Sequence, residues 1–263
     1  MSQDISQRVA EFDGAHIEYL EAGDGKSVVF FHGGGGVEHK AAFIPALAER
    51  FRVLAPSRPN YDGSTAPAET TRDVAEVMAG FIQHTVGGPV HLTAESAGGA
   101  PACWLAILHP DLVESLTLAA PAAFLQRSAQ GHDSPPPSQQ EMDERLFGKN
   151  PGWSSPPTAD DSEKRRKNAM ANMGRIMSPD GNKDLRDRLG EIKAPTLVLW
   201  GTEDKVISPE QGAIYQKEIP HAYLMYVYGA AHALPVSATK QFVELTTDFI
   251  ERGEAFLVNQ RTG

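Results

Sequence analysis

The feature of this chain that most constrains its fold is a regular alternation of short apolar runs with longer amphipathic segments. Residues 27–31 (SVVFF), 90–94 (VHLTA) and 196–200 (TLVLW) are almost wholly apolar, as strands buried on both faces are. Residues 71–85 instead place apolar side chains at helical spacings of three and four. The pattern extends to about eight strands and predicts an α/β fold, with a mostly parallel sheet and helices on both faces.

The alternation breaks between residues 121 and 190, where the sequence has no convincing buried strand. This stretch holds eight of the 19 prolines and four of the seven methionines of the chain. It is too long for an ordinary loop, and it does not separate two complete domains. We therefore predict one core formed by residues 1–120 and 191–263, with residues 121–190 inserted as a helical cap or lid.

Two features of the predicted cap bear on what it contacts. Met170, Met173 and Met177 are spaced for one helical face, which is typical of packing. Above an active site the same stripe would form an adaptable apolar pocket wall, so these three are candidate substrate-binding residues. Residues 163–167 (EKRRK) are expected to be a solvated helix face, with contact to an anionic substrate or partner as the alternative.

Composition excludes several classes of protein. The 263-residue chain has 34 acidic and 24 basic residues, so its charge of −10 would repel a nucleic-acid backbone. Its one cysteine, Cys103, can form neither an internal disulfide nor a cysteine-based zinc site, and no histidine pair has metal-ligand spacing with a carboxylate. No apolar run approaches the ~18 residues of a membrane span, and the first residues do not resemble a signal peptide. We expect a cytoplasmic protein with no cofactor, metal, nucleic-acid or membrane partner.

The first candidate for chemistry is the loop at residues 94–99 (AESAGG), between a predicted buried strand and a predicted helix. Small residues around Ser96 allow a tight turn that lifts the hydroxyl above the sheet edge and aims the Ala97 amide at developing negative charge. This position favours Ser96 as a nucleophile, and a helix N-cap in a glycine-rich turn is the alternative. Glu95 is expected to cap the turn, with tuning of the site as its alternative role.

The second candidate is the glycine-rich loop at residues 32–36 (HGGGG), which follows another apolar strand. Backbone N–H groups of glycines can approach a ligand closely, as an oxyanion hole requires. We predict Gly34 as the second oxyanion donor beside Ala97, with Gly33 and Gly35 lining the substrate. A phosphate cradle is the rival, but neither of its common glycine motifs is present, and a flexible turn is the remaining alternative.

The third and fourth candidates follow the last two predicted strands. Asp204 ends residues 201–204 (GTED), where a carboxylate at the strand end can orient an imidazole. Of nine histidines, only His232 lies in a glycine/alanine loop directly after the last strand. Ser96, Asp204 and His232 follow the chain order of one known triad arrangement, so we predict that they form a catalytic triad. His32 is the main competitor and is interpreted as a brace of the glycine loop.

With these motifs placed, the sequence strongly resembles the α/β-hydrolase fold superfamily. The resemblance runs from SVVFFHGGGG to YGAAHALP, and only the predicted cap lies outside it. It implies the α/β-hydrolase fold and a set of roles: nucleophile Ser96, general base His232, orienting acid Asp204, and oxyanion amides Gly34 and Ala97. Residues 57–64 (SRPNYDGS) depart from the family pattern Asp-x-Pro-Gly-Tyr-Gly-x-Ser, which puts the shape of that loop in question.

The resemblance and the predicted triad imply a serine hydrolase of the carboxylesterase type. Its partner would be a small-molecule acyl substrate (a carboxylic ester, lactone or thioester) cleaved through an acyl-enzyme on Ser96. The glycine-rich loop is also partly similar to that of carbon–carbon hydrolases of aromatic ring-cleavage products, so cleavage of diketone-type substrates by the same triad is an alternative. A catalytically idle small-molecule binding protein is the alternative from another class. Serine at the nucleophile position argues against haloalkane dehalogenases and epoxide hydrolases, which use aspartate there.

Overall fold

One eight-stranded sheet forms the centre of the computed structural model, which describes residues 4–38, 40–124, 137–176 and 182–257. The strands are β1 Ser6–Phe12, β2 Ala15–Ala22, β3 Ser27–Phe31, β4 Arg52–Pro56, β5 Val90–Glu95, β6 Val113–Ala119, β7 Thr196–Gly201 and β8 Ala222–Val227. Their spatial order is β1-β2-β4-β3-β5-β6-β7-β8. Strand β2 pairs antiparallel with β1 and β4, and the other neighbours are parallel. The mostly parallel sheet of about eight strands predicted from the sequence is confirmed.

The strands that carry the candidate residues are buried along their whole length. Every residue of β5 and β7 is buried, which requires cover on both faces of the sheet. The covering helices are α1 Phe43–Ala48, α2 Thr71–Thr85, α3 Gly99–Leu108, α7 Gly212–Glu218, α8 Leu234–Ser237 and α9 Thr239–Arg252. None of the helices in the described ranges is both long and apolar enough to cross a membrane.

Helices α2 and α3 show how the sequence fixes elements around the site. Thr70 and Asp73 form a capping box that starts α2, and the apolar residues at helical spacing, such as Met78, are buried beneath it. Helix α3 is buried at every position except Leu108, because its sequence is apolar on all sides. A helix enclosed in this way is fixed relative to β5, the strand that precedes it.

Residues 121–190, called the insert below, contain three helices in their described part. These are α4 Gln139–Phe147, α5 Ala159–Ile176 and α6 Lys183–Asp187, and no strand occurs among the residues of the insert that the structure describes. Backbone hydrogen bonds attach the insert to the core: Ala42 N–H donates to the Gly152 carbonyl oxygen (3.1 Å), and Ser154 N–H donates to that of Lys40 (2.7 Å). The insert therefore lies against the segment that follows β3.

Candidate active site

Ser96 lies directly after β5, in a tight turn that leads into α3. Its φ of +47° is a left-handed conformation that residues other than glycine rarely adopt. Two glycines allow the turn: a Cβ at Gly98 would lie 2.3 Å from the Phe31 carbonyl oxygen, and a Cβ at Gly99 would lie 2.5 Å from Pro121. The turn therefore holds Ser96 at the C-terminal edge of the sheet, where the backbone can pass close to its neighbours.

Ser96, His232 and Asp204 are far apart in sequence but meet in one hydrogen-bonded chain. His232 Nε2 lies 2.8 Å from Ser96 Oγ, and His232 Nδ1 lies 2.7 Å from Asp204 Oδ2. The side chains of His232 and Asp204 are only 2% and 0% exposed. An imidazole held between a hydroxyl and a carboxylate can accept the hydroxyl proton and pass it to a leaving group.

Hydrogen bonds from β7 and from the loop that follows it hold the Asp204 carboxylate in place. Its Oδ1 accepts the backbone N–H groups of Val206 (2.8 Å) and Ile207 (2.9 Å), and Oδ2 accepts Trp200 Nε1–H (3.0 Å) besides His232. Trp200 is a fully buried residue of β7. A carboxylate fixed in this way presents one oxygen to the imidazole and selects the tautomer that carries its hydrogen on Nδ1.

The loop that carries His232 is bonded to the insert. Ala233 N–H donates to the Leu146 carbonyl oxygen at 2.7 Å, and His232 N–H donates to that of Arg145 at 3.4 Å. Both acceptors lie in the last turn of α4. The end of α4 therefore helps to fix the backbone of the histidine loop.

Residues 33–36 form a tight turn close to Ser96. Gly36 N–H donates to the Gly33 carbonyl oxygen at 3.4 Å, which closes the turn. His32 Nδ1 donates to the same oxygen at 2.7 Å. His32 thus braces the glycine loop through a hydrogen bond, in the way interpreted from the sequence.

Arg58 ties the same turn to the serine loop, a contact that was not predicted from the sequence. Its guanidinium donates to the carbonyl oxygens of His32 (2.8 Å), Gly33 (3.3 Å) and Ala97 (3.4 Å), and its backbone N–H donates to His32 Nε2 (3.0 Å). The residue is 4% exposed. The loop at residues 57–64, which departs from the family pattern, therefore supplies a buried cation that links two loops of the site.

The peptide groups that contain the Gly34 and Ala97 amides are each held by their carbonyl oxygen. The Gly33 oxygen is held as described above, and the Ser96 carbonyl oxygen accepts Ala122 N–H at 2.8 Å. In a trans peptide the C=O and N–H bonds point in opposite directions, so these contacts direct the two N–H groups away from the core. Gly34 and Ala97 both line the cavity that contains Ser96.

Glu95 lines the cavity and makes no capping hydrogen bond to the turn. The expectation that its side chain caps the turn is therefore wrong. Burial, with a smaller contribution from the negative charge of Glu38, raises the pKa of Glu95 to about 8, although a hydrogen bond from the Gly33 amide acts in the opposite direction. The carboxyl group next to Ser96 is consequently protonated at neutral pH.

A cavity of about 370 Å³ lies over Ser96, between the sheet edge and the insert. Most of its wall is apolar, and its insert side includes Met142, Leu146, Phe147, Ala169 and Met170. Gly33 and Gly35, predicted to line the substrate, are also part of the wall. The dimensions and lining suit a small molecule with an apolar acyl group.

The structure describes the side chain of one methionine of the predicted stripe, Met170, but not those of Met173 and Met177. Met170 lines the cavity and is 64% exposed. Met173 lies in α5, and its side chain is outside the described part of the structure; Met177 lies outside the described residues altogether. Met142, in α4, also lines the cavity but carried no sequence signal that separated it from the other residues of the insert.

The expectation that residues 163–167 form a solvated face is wrong for part of this segment. Arg165 is 7% exposed, and its Nη1 lies 3.0 Å from both carboxylate oxygens of Glu38. Lys164 Nζ lies 2.9 Å from Asp62 Oδ1. Burial raises the pKa of Glu38, and the neighbouring guanidinium of Arg165 opposes this effect. These contacts dock α5 onto the core.

The other titratable groups near the site offer no competing nucleophile or metal cluster within the described ranges. Burial raises the pKa of the Cys103 thiol to about 12, so it is protonated at neutral pH. In the same ranges, no group of three or more His, Cys, Asp or Glu residues is placed to hold a metal ion.

The sequence profile of the alpha/beta hydrolase family matches residues 28–245, which is most of the chain. The matched range includes Ser96, Asp204 and His232, and the eight-stranded sheet has the architecture of this family. The chain belongs to the alpha/beta hydrolase family, and the resemblance noted from the sequence is confirmed.

Curated relatives include both carbon–carbon and ester hydrolases. The 2-hydroxy-6-oxo-6-(2'-aminophenyl)hexa-2,4-dienoic acid hydrolase of Metapseudomonas resinovorans is 26% identical, over 94% of this chain and 91% of its own. A pimeloyl-[acyl-carrier protein] methyl ester esterase of Neisseria meningitidis serogroup B is 27% identical, over 87% of this chain and 94% of its own. The family is thus shared by relatives with two kinds of reaction.

Solved structures show the same fold. A serine hydrolase involved in carbazole degradation matches with a TM-score of 0.77 and 22% identity, over 94% of this chain and 99% of that one. A meta-cleavage product hydrolase from Pseudomonas fluorescens IP01 matches with a TM-score of 0.71 and 19% identity, over 90% and 95% of the two chains. At these identities the matches establish the architecture.

Proposed function

We propose that this protein is a serine hydrolase that cleaves an ester-like small molecule through an acyl-enzyme on Ser96. The observation that carries the proposal is the hydrogen-bonded chain from Asp204 through His232 to Ser96, at the base of a mainly apolar cavity. The ester esterase relative is consistent with this reaction. We also propose that the insert is the cap of the enzyme, because it forms much of the cavity wall.

In the proposed mechanism, His232 Nε2 removes the proton of Ser96 Oγ as this oxygen attacks the substrate carbonyl. The N–H groups of Gly34 and Ala97 stabilise the negative oxygen of the tetrahedral intermediate. His232 then protonates the leaving alcohol or thiol, and the acyl group stays on Ser96. Water, deprotonated by His232, attacks the acyl-enzyme and releases the acid.

The charged groups in the cavity wall are balanced and do not by themselves separate a neutral from an anionic substrate. Glu95 is protonated at neutral pH, Glu38 is paired with Arg165 at 3.0 Å, and Asp143 and Arg166 also line the cavity. The mainly apolar remainder of the wall suits the acyl group of an ester, lactone or thioester.

The second candidate function is hydrolysis of a carbon–carbon bond in a diketone-type substrate by the same triad. The support for it is the similarity to relatives named as hexa-2,4-dienoate hydrolases, at 26% identity over 90% or more of this chain. Such substrates carry a carboxylate, and Arg166 is a cation in the wall of this cavity.

The test is a comparison of wild-type protein with Ser96→Ala on two substrate types: p-nitrophenyl esters of increasing acyl length and a vinylogous 1,5-diketone. We expect ester hydrolysis by the wild type and a loss of about 10³-fold or more in Ser96→Ala, since the nucleophile is removed. Ser6→Ala, in β1 at the sheet edge, is the control. Full ester hydrolysis by Ser96→Ala would contradict the proposal, turnover of only the diketone would favour the second candidate, and no turnover of either would favour a binding protein.

A further inference from the structure

The Gly33–Gly36 turn is held from two sides. On the core side, His32 and Arg58 hold the Gly33 carbonyl oxygen, as described above. On the other side, Asn168 of α5 donates from Nδ2 to the Gly35 carbonyl oxygen at 3.0 Å. The Gly34 N–H belongs to the same peptide group as the Gly33 carbonyl and precedes the Gly35 carbonyl along the chain, and both of these carbonyl groups are held.

The contact with α5 is close enough to explain the glycines. A Cβ at Gly35 would lie 2.4 Å from Arg165 Cγ, and a Cβ at Gly36 would lie 2.6 Å from Asn168 Nδ2. Gly36 also has φ of +98°, a conformation that favours glycine. Side chains at these positions would separate the turn from α5, so the turn is shaped to accept the helix.

The amide of Asn168 is itself oriented by a second partner. Its Nδ2 also lies 3.1 Å from Asp62 Oδ1, and Asp62 accepts hydrogen bonds from Ser57 Oγ (2.9 Å) and pairs with Lys164 (2.9 Å). Burial alone would raise the pKa of Asp62, but these hydrogen bonds outweigh it and lower the pKa, so Asp62 is ionised at neutral pH. A fixed anion makes Asn168 present its NH₂ group, and not its oxygen, to Gly35.

We propose that Asn168 is a positioning residue for the oxyanion hole, because it fixes the Gly35–Gly36 peptide and thereby the orientation of the Gly34 N–H. The inference rests on the proposed serine-hydrolase function and assigns a role in it to a residue of the insert. Helix α5 thereby adds to the core contacts of His32 and Arg58, which hold the Gly33 carbonyl oxygen of the same turn. The insert then contributes to the chemical step as well as to substrate binding.

The helix supplies a matched control. Asn172 lies one turn further along the same face of α5, and its Nδ2 donates to the Asn60 carbonyl oxygen at 3.1 Å and to the backbone carbonyl oxygen of Asn168 at 3.0 Å. Asn172→Ala removes a hydrogen bond between α5 and the core and one within α5, and neither of them reaches the glycine turn. Asn168→Asp keeps the size of the side chain and replaces the NH₂ donor with an oxygen that Asp62 and the Gly35 carbonyl would repel.

The experiment measures kcat and KM for a p-nitrophenyl ester, inhibition by a trifluoromethyl ketone that forms a tetrahedral adduct, and Tm. For Asn168→Ala and Asn168→Asp we expect kcat to fall about 10-fold and the inhibitor to bind about 10-fold more weakly, with KM within about twofold of wild type. For Asn172→Ala we expect a similar fall in Tm with kcat and inhibition unchanged.

Equal effects of Asn168→Ala and Asn172→Ala on kcat and inhibition would overturn the inference, because they would show only a general loosening of α5. Changes confined to KM would overturn it as well. If the wild-type protein neither hydrolyses an ester nor reacts at Ser96 with a fluorophosphonate, the proposed function itself fails, and the inference fails with it. These outcomes separate the two claims.

Discussion

The C-terminal edge of the sheet and helix α5 supply two parts of the same cavity wall, but different interactions hold them in place. Ser96 and Asp204 follow β5 and β7, which are buried at every position, and His232 is itself buried in the loop after β8. Helix α5 instead docks through polar side chains on one face, namely Asp161, Arg165, Asn168 and Asn172. The triad is thus held by buried strands and loops of the core, and α5 is held by polar contacts on one face.

The two kinds of contact differ in free energy. Full burial of one large apolar side chain contributes about 1.5–3 kcal/mol, and a central strand such as β7 buries several. A single hydrogen bond or partly exposed ion pair contributes about 0.5–1.5 kcal/mol or less. Substitutions on α5 can therefore change the cavity, and at Asn168 the oxyanion turn, without unfolding the core, whereas substitutions at the sheet edge are expected to have the larger effects on the chemical step. The predictions below test this contrast.

The largest effect is expected from Asp204→Asn. An asparagine amide would turn an NH₂ group either toward His232 Nδ1 or toward the N–H groups of Val206 and Ile207, and the imidazole would lose its oriented tautomer. We expect kcat to fall by about 10⁴-fold with KM nearly unchanged. Glu203→Gln, an exposed neighbour, is the control and should retain activity. A loss of less than about 10-fold in Asp204→Asn would show that the carboxylate does not orient the histidine.

The second effect is expected from Arg58→Met, which removes the cation that links the glycine turn to the serine loop. The carbonyl oxygens of His32 and Gly33 would lose a donor, so we expect kcat to fall by about 10- to 100-fold and Tm to decrease. Arg52→Met is the control for removal of a paired arginine, because Arg52 is half-buried and pairs with Glu21 away from the cavity. If both variants lose stability equally and neither loses kcat, Arg58 has only a structural role.

The third effect concerns pH and Glu95. Because the pKa of this buried carboxyl is about 8, ionisation above that pH places a negative charge beside Ser96 and opposes the negative oxygen of the intermediate. We expect wild-type kcat/KM to decrease as pH rises through about 8 and the decrease to be absent in Glu95→Gln. The negative charge of Glu38, which is paired with Arg165, contributes to the raised pKa of Glu95, so Glu38→Gln should shift the decrease to lower pH.

The raised pKa of Glu95 also makes the free energy of unfolding depend on pH. Glu95 has its ordinary pKa of 4.5 in the unfolded chain and about 8 in the folded protein, so the folded state binds the proton more tightly. Its contribution to the free energy of unfolding is fully present below pH 4.5 and is lost as pH rises to 8. Glu95→Gln should therefore gain Tm relative to wild type at alkaline pH and lose this advantage at acid pH. An equal difference at both pH values would contradict the assignment.

The smallest effect is expected from Met170→Ala on α5. Met170 lines the cavity but is 64% exposed, so its removal takes away little buried area. We expect KM for longer acyl esters to rise by about two- to threefold, with kcat and Tm unchanged. Phe147→Ala, which removes a buried ring from the same wall, should raise KM more and lower Tm. A larger fall in kcat for Met170→Ala than for Arg58→Met would reverse the contrast between sheet edge and insert.

The parts of the molecule that could be predicted from the sequence are those in which local pattern and packing agree. Mostly apolar short runs such as residues 90–94 and 196–200 favour buried strands, and glycines after β3 and β5 indicate turns in which backbones approach closely. Order along the chain then placed Ser96, Asp204 and His232 at the same sheet edge. These features depend on short segments and on the general rule that parallel strands share an edge.

The features that were missed depend on partners distant in the chain. Arg58 is one charged residue in a loop, and its three carbonyl partners come from two other loops. Arg165 is part of a charged run, yet Glu38, Phe147 and Trp153 surround it. No periodicity in the sequence marks the docked face of α5, because residues 160–168 (DDSEKRRKN) are all polar. Glu95 was assigned to the turn because its sequence position does not reveal that its side chain enters the cavity.

The most direct test of the central claim is the site of covalent reaction with a fluorophosphonate, located by peptide mass spectrometry. We predict one adduct per chain, on Ser96, formed much more slowly in His232→Ala and absent in Ser96→Ala, because the hydroxyl reacts only when the imidazole accepts its proton. Reaction at another residue, equal reaction in His232→Ala, or no reaction of the folded wild-type protein would contradict the assignment of Ser96 as an activated nucleophile.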